Sequence, residues 1–396
     1  MALRIDRPVV YVTRDIERAL GMEPVENYFI ISNDTPYGRE VQKRYPNNVW
    51  LHKADKPYDT YELLLLPGVD EAITRYRAGL IVFQNTPRIE RLAKERGWDL
   101  LNPSADLSRQ VEEKISQLKW LDEDEGLLPP HRTLALRDVI FEGKKFVLQF
   151  NHGHTGEGTH IIETQEALDA LKAKFPDRPC KVTDFIPGPV FTINAVAAYQ
   201  TIVGNPSYQI TGLAPFTDLP FSTVGNDWSL AANDKYMRTL LDMREIAEKV
   251  GKRLLAAGWR GLFGIDAIYD EEMQKTYLLE INARQPASAA FESMLQRATD
   301  PNASTIFEAH VSALLRLPIK DYSRTPIAGA QIVKRVTNIP YTIDTAALFA
   351  LGLSLIEYNN TEHNKEIVRI QSGAPIMSDH NTLNELGTSI AACIKP

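Results

Sequence analysis

The sequence predicts a mixed α/β fold, with an open α/β layer at the N-terminus, a β-rich central region of α+β character and a small α/β segment at the end. Three observations carry this. Strand-like and helix-like pieces alternate over the first hundred residues, a strand, glycine-rich loop and second strand follow, and two apolar segments on either side of residue 272 are spaced as a hairpin. At 396 residues the chain also exceeds the roughly 250–300 at which one hydrophobic core stops growing, so several lobes are expected.

The N-terminal layer, residues 1–105, rests on Val9–Val12, Tyr28–Ile31 and Leu80–Phe83 as strands and Ile89–Arg96 as a helix. Its first strand is not followed by GxGxxG, so a dinucleotide fingerprint is missing where it would stand. Asn102–Pro103–Ser104 reads as a link, and Asp106–Leu121 as a helix carrying Lys114, stopped by Gly126 and Pro129–Pro130. In the central region, 106–320, a turn at Glu142–Gly143 leads to a strand at Lys145–Phe150 and then to three glycines in six residues, Gly153–His154–Thr155–Gly156–Glu157–Gly158. A helix at Gln165–Phe175, a short strand at Lys181–Ile186, the turn Pro187–Gly188–Pro189 and a β-rich run Phe191–Val203 follow. Helical spacing returns from about Lys235 to Ala257, and Gly258–Trp259–Arg260–Gly261 introduces the hairpin segments Leu262–Tyr269 and Thr276–Ile281. The last segment, 321–396, mixes strands with a terminal helix at Thr382–Ala392.

Composition excludes more than it names. A net charge of −7, from 51 acidic against 44 basic residues, argues against a surface built to wrap nucleic acid. Cys180 and Cys393 are the two cysteines, without CxxC spacing, so neither a disulfide framework nor a thiolate zinc site is expected and a reducing cytoplasm fits best. The first seven residues carry scattered charges and only a short apolar run behind them, which reads as the approach to a strand rather than a signal peptide. No stretch approaches the ~20 apolar residues of a membrane span.

The hairpin carries the chemistry. If its turn, Asp270–Lys275, is centred near Met273, antiparallel register sets Asp266 opposite Glu280, with Asn282 two residues on and on the same face. Each interrupts an apolar strand, and burying a carboxylate costs several kcal/mol unless it is paired or bound to a metal. Magnesium suits such a set, since it takes a few protein oxygens and completes its octahedron with phosphate oxygens and water. The competing reading is an edge pair exposed to solvent or partnered by Arg260 and Arg284.

Glycines in the central loop let the backbone approach an anion, although such a loop by itself is more often a hairpin tip. Thr159–His160 stand where a P-loop would have Lys–Ser or Lys–Thr, which disfavours that motif. His152, His154 and His160 lack an HExxH helix or matching cysteines and read as loop imidazoles. Trp228, Tyr236, Trp259 and Phe263 read as core. Arg260, Arg284 and Arg297 are the candidates for an anionic substrate, and Ser288 would join them only if the segment after Arg284 lines the pocket.

Taken in order, these pieces resemble the ATP-grasp superfamily of carboxylate–amine ligases, with relatives such as D-alanine–D-alanine ligase and biotin carboxylase-like enzymes. The residues concerned are Glu112–Glu113–Lys114, the strand and loop Val147–Gly158, Asp184–Phe185–Ile186–Pro187–Gly188–Pro189, Gly264–Ile265–Asp266 and Leu279–Glu280–Ile281–Asn282–Ala283–Arg284. The resemblance implies a two-lobed ATP-grasp domain over 106–320 with a nucleotide lid at about 130–188. It assigns Lys114 to the phosphates, the loop Gly153–Gly158 with His154, Thr155 and Gly156 to covering them, and the backbone around Asp184, Phe185 and Ile186 to the adenine. Asp266, Glu280 and Asn282 become magnesium ligands, with manganese as a substitute, and Arg284 faces the transferred phosphoryl group or the substrate carboxylate. The implied activity is ATP-dependent ligation of a small-molecule carboxylate to an amine through an acyl phosphate. A phosphotransferase and a nucleotide-binding protein without turnover are the alternatives. No nucleic-acid or membrane partner is implied, and a homodimer is the assembly allowed for.

Two positions depart from the pattern. Gln149 stands where the strand before the loop commonly carries a phosphate-reaching lysine, and Lys145, on the same strand parity, is the candidate substitute. Val190 replaces a glutamate that accepts hydrogen bonds from the ribose in relatives similar to D-alanine–D-alanine ligase.

Overall fold

In the computed structural model, which describes residues 3–121, 126–151, 158–319 and 321–395, the N-terminal segment forms a five-stranded parallel sheet. Its strands are β1 (Val9–Val12), β2 (Tyr28–Asn33), β3 (Val49–His52), β4 (Gly79–Val82) and β5 (Asp99–Leu100), in the order β3-β2-β1-β4-β5. β1 and β4 are buried at every position, as expected of parallel strands covered on both faces. The flanking helices are α1 (Pro36–Arg44), α2 (Thr60–Leu64), α3 (Pro67–Tyr76) and α4 (Pro87–Arg96). α1 and α4 start alike, with proline in the first turn and a threonine cap, Thr35 or Thr86, accepting from the backbone N–H of Gly38 or Ile89. Such caps each contribute about 1 kcal/mol.

The helix expected over Asp106–Leu121 is broken into α5 (Ala105–Glu112) and α6 (Ser116–Leu121). A four-stranded antiparallel sheet follows, built from β6 (His131–Ala135), β7 (Phe146–Phe150), β8 (Thr159–Ile162) and β9 (Pro179–Asp184) in the order β6-β9-β7-β8. Strand alternation gives this sheet two different faces. Phe146, Leu148, Phe150, Cys180 and Val182 pack with Leu168 of α7 (Gln165–Lys174) into a small core. Val147, Gln149, Lys181 and Thr183, paired across β7 and β9, are left on the other face.

The largest sheet is antiparallel and runs β15-β14-β10-β12-β13-β16-β19-β18, with β11 (Thr201–Val203) paired to β10. Its strands are β10 (Val190–Ala197), β12 (Ser207–Thr211), β13 (Thr223–Asp227), β14 (Gly261–Asp270), β15 (Lys275–Asn282), β16 (Ala330–Arg335), β18 (Ser354–Glu357) and β19 (Glu366–Ser372). Because β16 pairs with β13, the strands contributed after residue 321 continue this sheet. The short β17 (Thr342–Ile343) pairs with the chain end, Ile394–Lys395. Phe191, Ile193, Phe263, Ile265 and Ile281 point to a common core with α9 (Met237–Ala256). The alternate residues of β10 and β14, among them Val190, Thr192 and Asp266, therefore face away from that core.

A short helix α8 (Trp228–Ala231) precedes α9, while α10 (Ala289–Thr299) and α11 (Ile306–Leu315) follow β15. Phe307 and Val311 of α11 share a core with Tyr11 and Ile30 of the parallel sheet, locking that sheet to the large one. At the end come α12 (Thr345–Ala350) and α13 (Glu385–Ala392), the latter capped by Asn384 and so starting three residues after the expected Thr382. Among the described residues no helix is long and apolar enough to cross a membrane.

Candidate active site

Asp266 on β14 stands opposite Glu280 on β15, and Asn282 opposite Gly264. The register is not continuous from the turn. Asp270 pairs with Lys275 and Ala267 with Leu278, so an unbroken ladder would set Asp266 against Leu279; a bulge at this point admits the extra residue and brings Glu280 into line. Asn282 Nδ2 donates to Asp266 Oδ2 at 3.1 Å, and Thr192 Oγ1, from the neighbouring β10, donates to Asp266 Oδ1 at 2.7 Å. Gln209 Nε2 in turn donates to Thr192 Oγ1 at 3.2 Å. Burial and the facing Glu280 push the Asp266 carboxyl up to about 6, although both hydrogen bonds oppose the shift. Two carboxylates and a carboxamide on one face, with Asp266 poorly stabilised as an anion, form a donor set that fits a hard divalent cation.

Lys114 is not on a helix. It lies in the turn between α5 and α6, where Glu113 adopts an extended backbone. Asn151, just past β7, holds the break: its Oδ1 accepts from the Ile115 N–H at 2.8 Å, and its Nδ2 donates to Glu113 Oε2 at 2.8 Å. The turn projects Lys114 inward, and its Nζ meets Glu280 Oε1 at 2.7 Å with the lysine only 8% exposed. Arg284 follows β15 and pairs with Glu112, the last residue of α5. Burial alone would lower the guanidinium pKa, but Glu112 and Glu280 more than offset it and raise the value. The Arg284 segment is fixed on both sides: Ser108 Oγ donates to the Ala283 carbonyl at 2.7 Å, and Tyr11 Oη to Gln285 Oε1 at 2.7 Å. Beside it, a small space is lined by Asn85 and Asn102, from the C-terminal ends of β4 and β5, together with Arg260, Gln285 and His310.

The smaller sheet turns its polar face toward this hairpin. Gln149 pairs with Thr159 on one side and Lys181 on the other, and its Nε2 donates to Thr159 Oγ1 at 3.2 Å. Lys181 is 1% exposed, and burial, reinforced by Lys114, lowers its ammonium pKa to about 8 while Glu280 raises it. Sequence reasoning passed over Lys181 and Thr192; the available signal was a polar residue at alternate positions of an otherwise apolar strand. Lys145, the expected substitute at the phosphates, instead places its Nζ 3.9 Å from the ring centroid of Phe185. Four residues along a strand is roughly 13 Å, so parity alone does not bring it to the place of Gln149. The Phe150 N–H donates to the Gly158 carbonyl at 2.9 Å, closing the base of the β7–β8 loop. The loop residues Gly153, His154, Thr155 and Gly156 lie outside the described residues.

At the link between the two sheets, the Asp184 N–H donates to the Pro130 carbonyl at 3.3 Å, so this N–H is already engaged. Phe185 and Ile186 are half-buried. Gly188 is required here, since a Cβ would lie 2.0 Å from the Tyr269 carbonyl oxygen. Val190 shares the face of Thr192.

Other candidates are spent elsewhere. Arg297 forks onto Glu308 at 2.7 and 2.6 Å, which removes it from the set of substrate cations. Ser288 is buried and accepts from Asn194 at 3.0 Å, and His160 packs edge-on against Phe150. Trp228, Tyr236, Trp259 and Phe263 are core residues. Arg260 Nη1 donates to the Ala198 carbonyl at 3.3 Å, and Arg284 is paired with Glu112.

Residues 111–288 match the family model of the ATP-grasp domain. No curated protein sequence matches the chain. N5-carboxyaminoimidazole ribonucleotide synthetase from Thermotoga maritima is 14% identical, with 99% of each chain covered and a TM-score of 0.62. N5-carboxyaminoimidazole synthase from Aspergillus clavatus, solved with ADP and 5-aminoimidazole ribonucleotide, is 16% identical over 98% of this chain and 97% of its own, with a TM-score of 0.64. The biotin carboxylase domain of Hydrogenobacter thermophilus 2-oxoglutarate carboxylase, solved with MgADP and bicarbonate, is 13% identical over 94% of this chain and 87% of its own, with a TM-score of 0.60. At these identities the likeness is one of fold, and it runs along the whole chain.

Proposed function

For a chain that carries an ATP-grasp domain over residues 111–288, we propose the activity of an ATP- and magnesium-dependent carboxylate–amine ligase. The observation that carries this is the convergence of Asp266, Glu280 and Asn282 with Lys114 and Arg284, on a face turned toward the polar side of a second sheet. In this reading ATP transfers its γ-phosphoryl group to a carboxylate, ADP leaves, and an amine displaces phosphate from the acyl phosphate to form an amide or related C–N bond. Magnesium supplies charge neutralisation and alignment of the phosphates for in-line transfer.

The chain's own residues divide the rest. Asp266 and Glu280 provide the carboxylates of the metal site, and Thr192 and Asn282 fix the orientation of Asp266 by donating to it. Lys114 balances Glu280 and lies within reach of a phosphate. Arg284, planar and held by Glu112, offers a fork to the developing negative charge. The hinge from Asp184 to Gly188 takes the adenine edge, and closure of the smaller sheet excludes water from the acyl phosphate. The substrates approach Arg284 from the C-terminal ends of the parallel strands, the side on which open α/β sheets bind ligands.

The test is ADP release with magnesium against a panel of acids, each paired with amines, and mass analysis of the product. Bicarbonate heads the panel because the fold relative from Hydrogenobacter thermophilus was solved with it. Asp266→Asn and Glu280→Gln are expected to lose about a hundredfold or more of the turnover. Full turnover in both variants refutes the metal site, and a phosphorylated acceptor accumulating with amine present makes the protein a phosphotransferase instead.

A further inference from the structure

Gln149 and Lys181 are cross-strand partners, so their side chains rise next to each other from the same face of the smaller sheet. We propose that Lys181 is the cation that reaches the nucleotide phosphates, supplying from β9 the charge that a lysine at position 149 would supply from β7. This rests on reading the cleft between the sheets as an ATP site.

Burial poses the problem that this role solves. Lys181 is 1% exposed, between the core residues Cys180 and Val182, and has no ion pair or hydrogen bond among the described residues. An ammonium group taken out of water without an anion is costly. Its charged neighbours are Lys114 and Glu280, and Glu280 already meets Lys114 at 2.7 Å. With Glu280 engaged by Lys114, and Asp266 held by Thr192 and Asn282, Lys181 has no anion of its own among the described residues, and a polyphosphate would supply one.

Geometry makes the exchange of strands workable. Directly opposed residues in an antiparallel pair have Cβ atoms about 4.5–5.5 Å apart, a gap that a flexible four-carbon stem spans. The exchange also accounts for Gln149 itself. Lysines at both positions would set like charges directly opposite each other, whereas the neutral amide turns to Thr159.

The experiment titrates magnesium adenylyl imidodiphosphate and AMP into wild type, Lys181→Met, and the double variant Gln149→Lys/Lys181→Met, by calorimetry, and follows thermal unfolding without nucleotide. Lys181→Met is expected to bind the triphosphate analogue about 10- to 100-fold more weakly, the value of one charged hydrogen bond. Its AMP affinity should change by less than about threefold, and its melting temperature should rise because an uncompensated buried charge is gone. The double variant should regain the triphosphate. Unchanged triphosphate affinity in Lys181→Met, equal losses for AMP and triphosphate, a lowered melting temperature, or no recovery in the double variant overturns the proposal. Wild-type protein that binds neither nucleotide overturns the ATP reading, and this proposal with it.

Discussion

Acid should weaken this protein through His310, a residue that props the hairpin strand from below. It lies on α11, fully buried against Phe307, and its Nδ1 accepts from the Leu262 N–H at 3.0 Å, four residues before Asp266. Gly261 leaves room for the ring: its φ is +101° and a Cβ there would lie 2.7 Å from Nδ1. Burial lowers the His310 pKa from 6.5 to about 3. The unfolded chain therefore binds a proton near pH 6.5 that the folded chain refuses until about pH 3, so this contribution is whole above pH 6.5 and is lost as pH falls through that window. From pH 6.5 to 5.0, at about 1.4 kcal/mol per unit, the loss is roughly 2 kcal/mol. His310→Asn keeps an acceptor near the Nδ1 position and removes the titration. Urea unfolding of both proteins at pH 7.5 and 5.0 should show the wild-type advantage shrinking by about 2 kcal/mol on acidification. An advantage of constant size across that range refutes the argument, whatever its value at pH 7.5.

Two further outcomes test how the site is held. Asn151→Ala removes both hydrogen bonds that fix the break before α6, so Lys114 should lose its position; magnesium–ATP affinity is expected to fall about 10- to 30-fold by calorimetry. Unchanged affinity would mean that the α5–α6 turn holds itself. Gly188→Ala drives a Cβ to 2.0 Å from the Tyr269 carbonyl oxygen, so the link between the sheets must shift. A cost of about 1–3 kcal/mol should appear as a lower thermal midpoint, together with weaker adenine nucleotide binding, and a midpoint equal to wild type would show that the contact relaxes freely.

The parts of this molecule legible in the sequence are those with a local period. β1, β4 and the β14–β15 hairpin are apolar runs of the right length, and three polar residues interrupting the hairpin mark the face that leaves the core. Even there, one step was not local. The turn is centred between Glu272 and Met273, half a residue short of the centre that pairs Asp266 with Glu280, and the bulge at Leu279 restores that pairing. Periodicity says nothing about an inserted residue. The same holds for Lys114: nothing between Asp106 and Leu121 breaks a helix by composition, and the break is made by Asn151 from the end of β7.

Gln149 shows why such gaps bear on function. Along its strand it is a missing charge, and the substitute that strand parity offers is Lys145, which lies against Phe185. A sheet places side chains by pairs, however, and neighbours across strands are closer than neighbours of like parity four residues apart, about 5 Å against roughly 13 Å. Position 181 adjoins position 149 because β9 runs antiparallel beside β7, a relation set by the loop, β8 and α7 between them. A charge absent from a motif position in a sheet is therefore to be sought first at its cross-strand partner, where the backbone delivers it to nearly the same volume without preserving the motif.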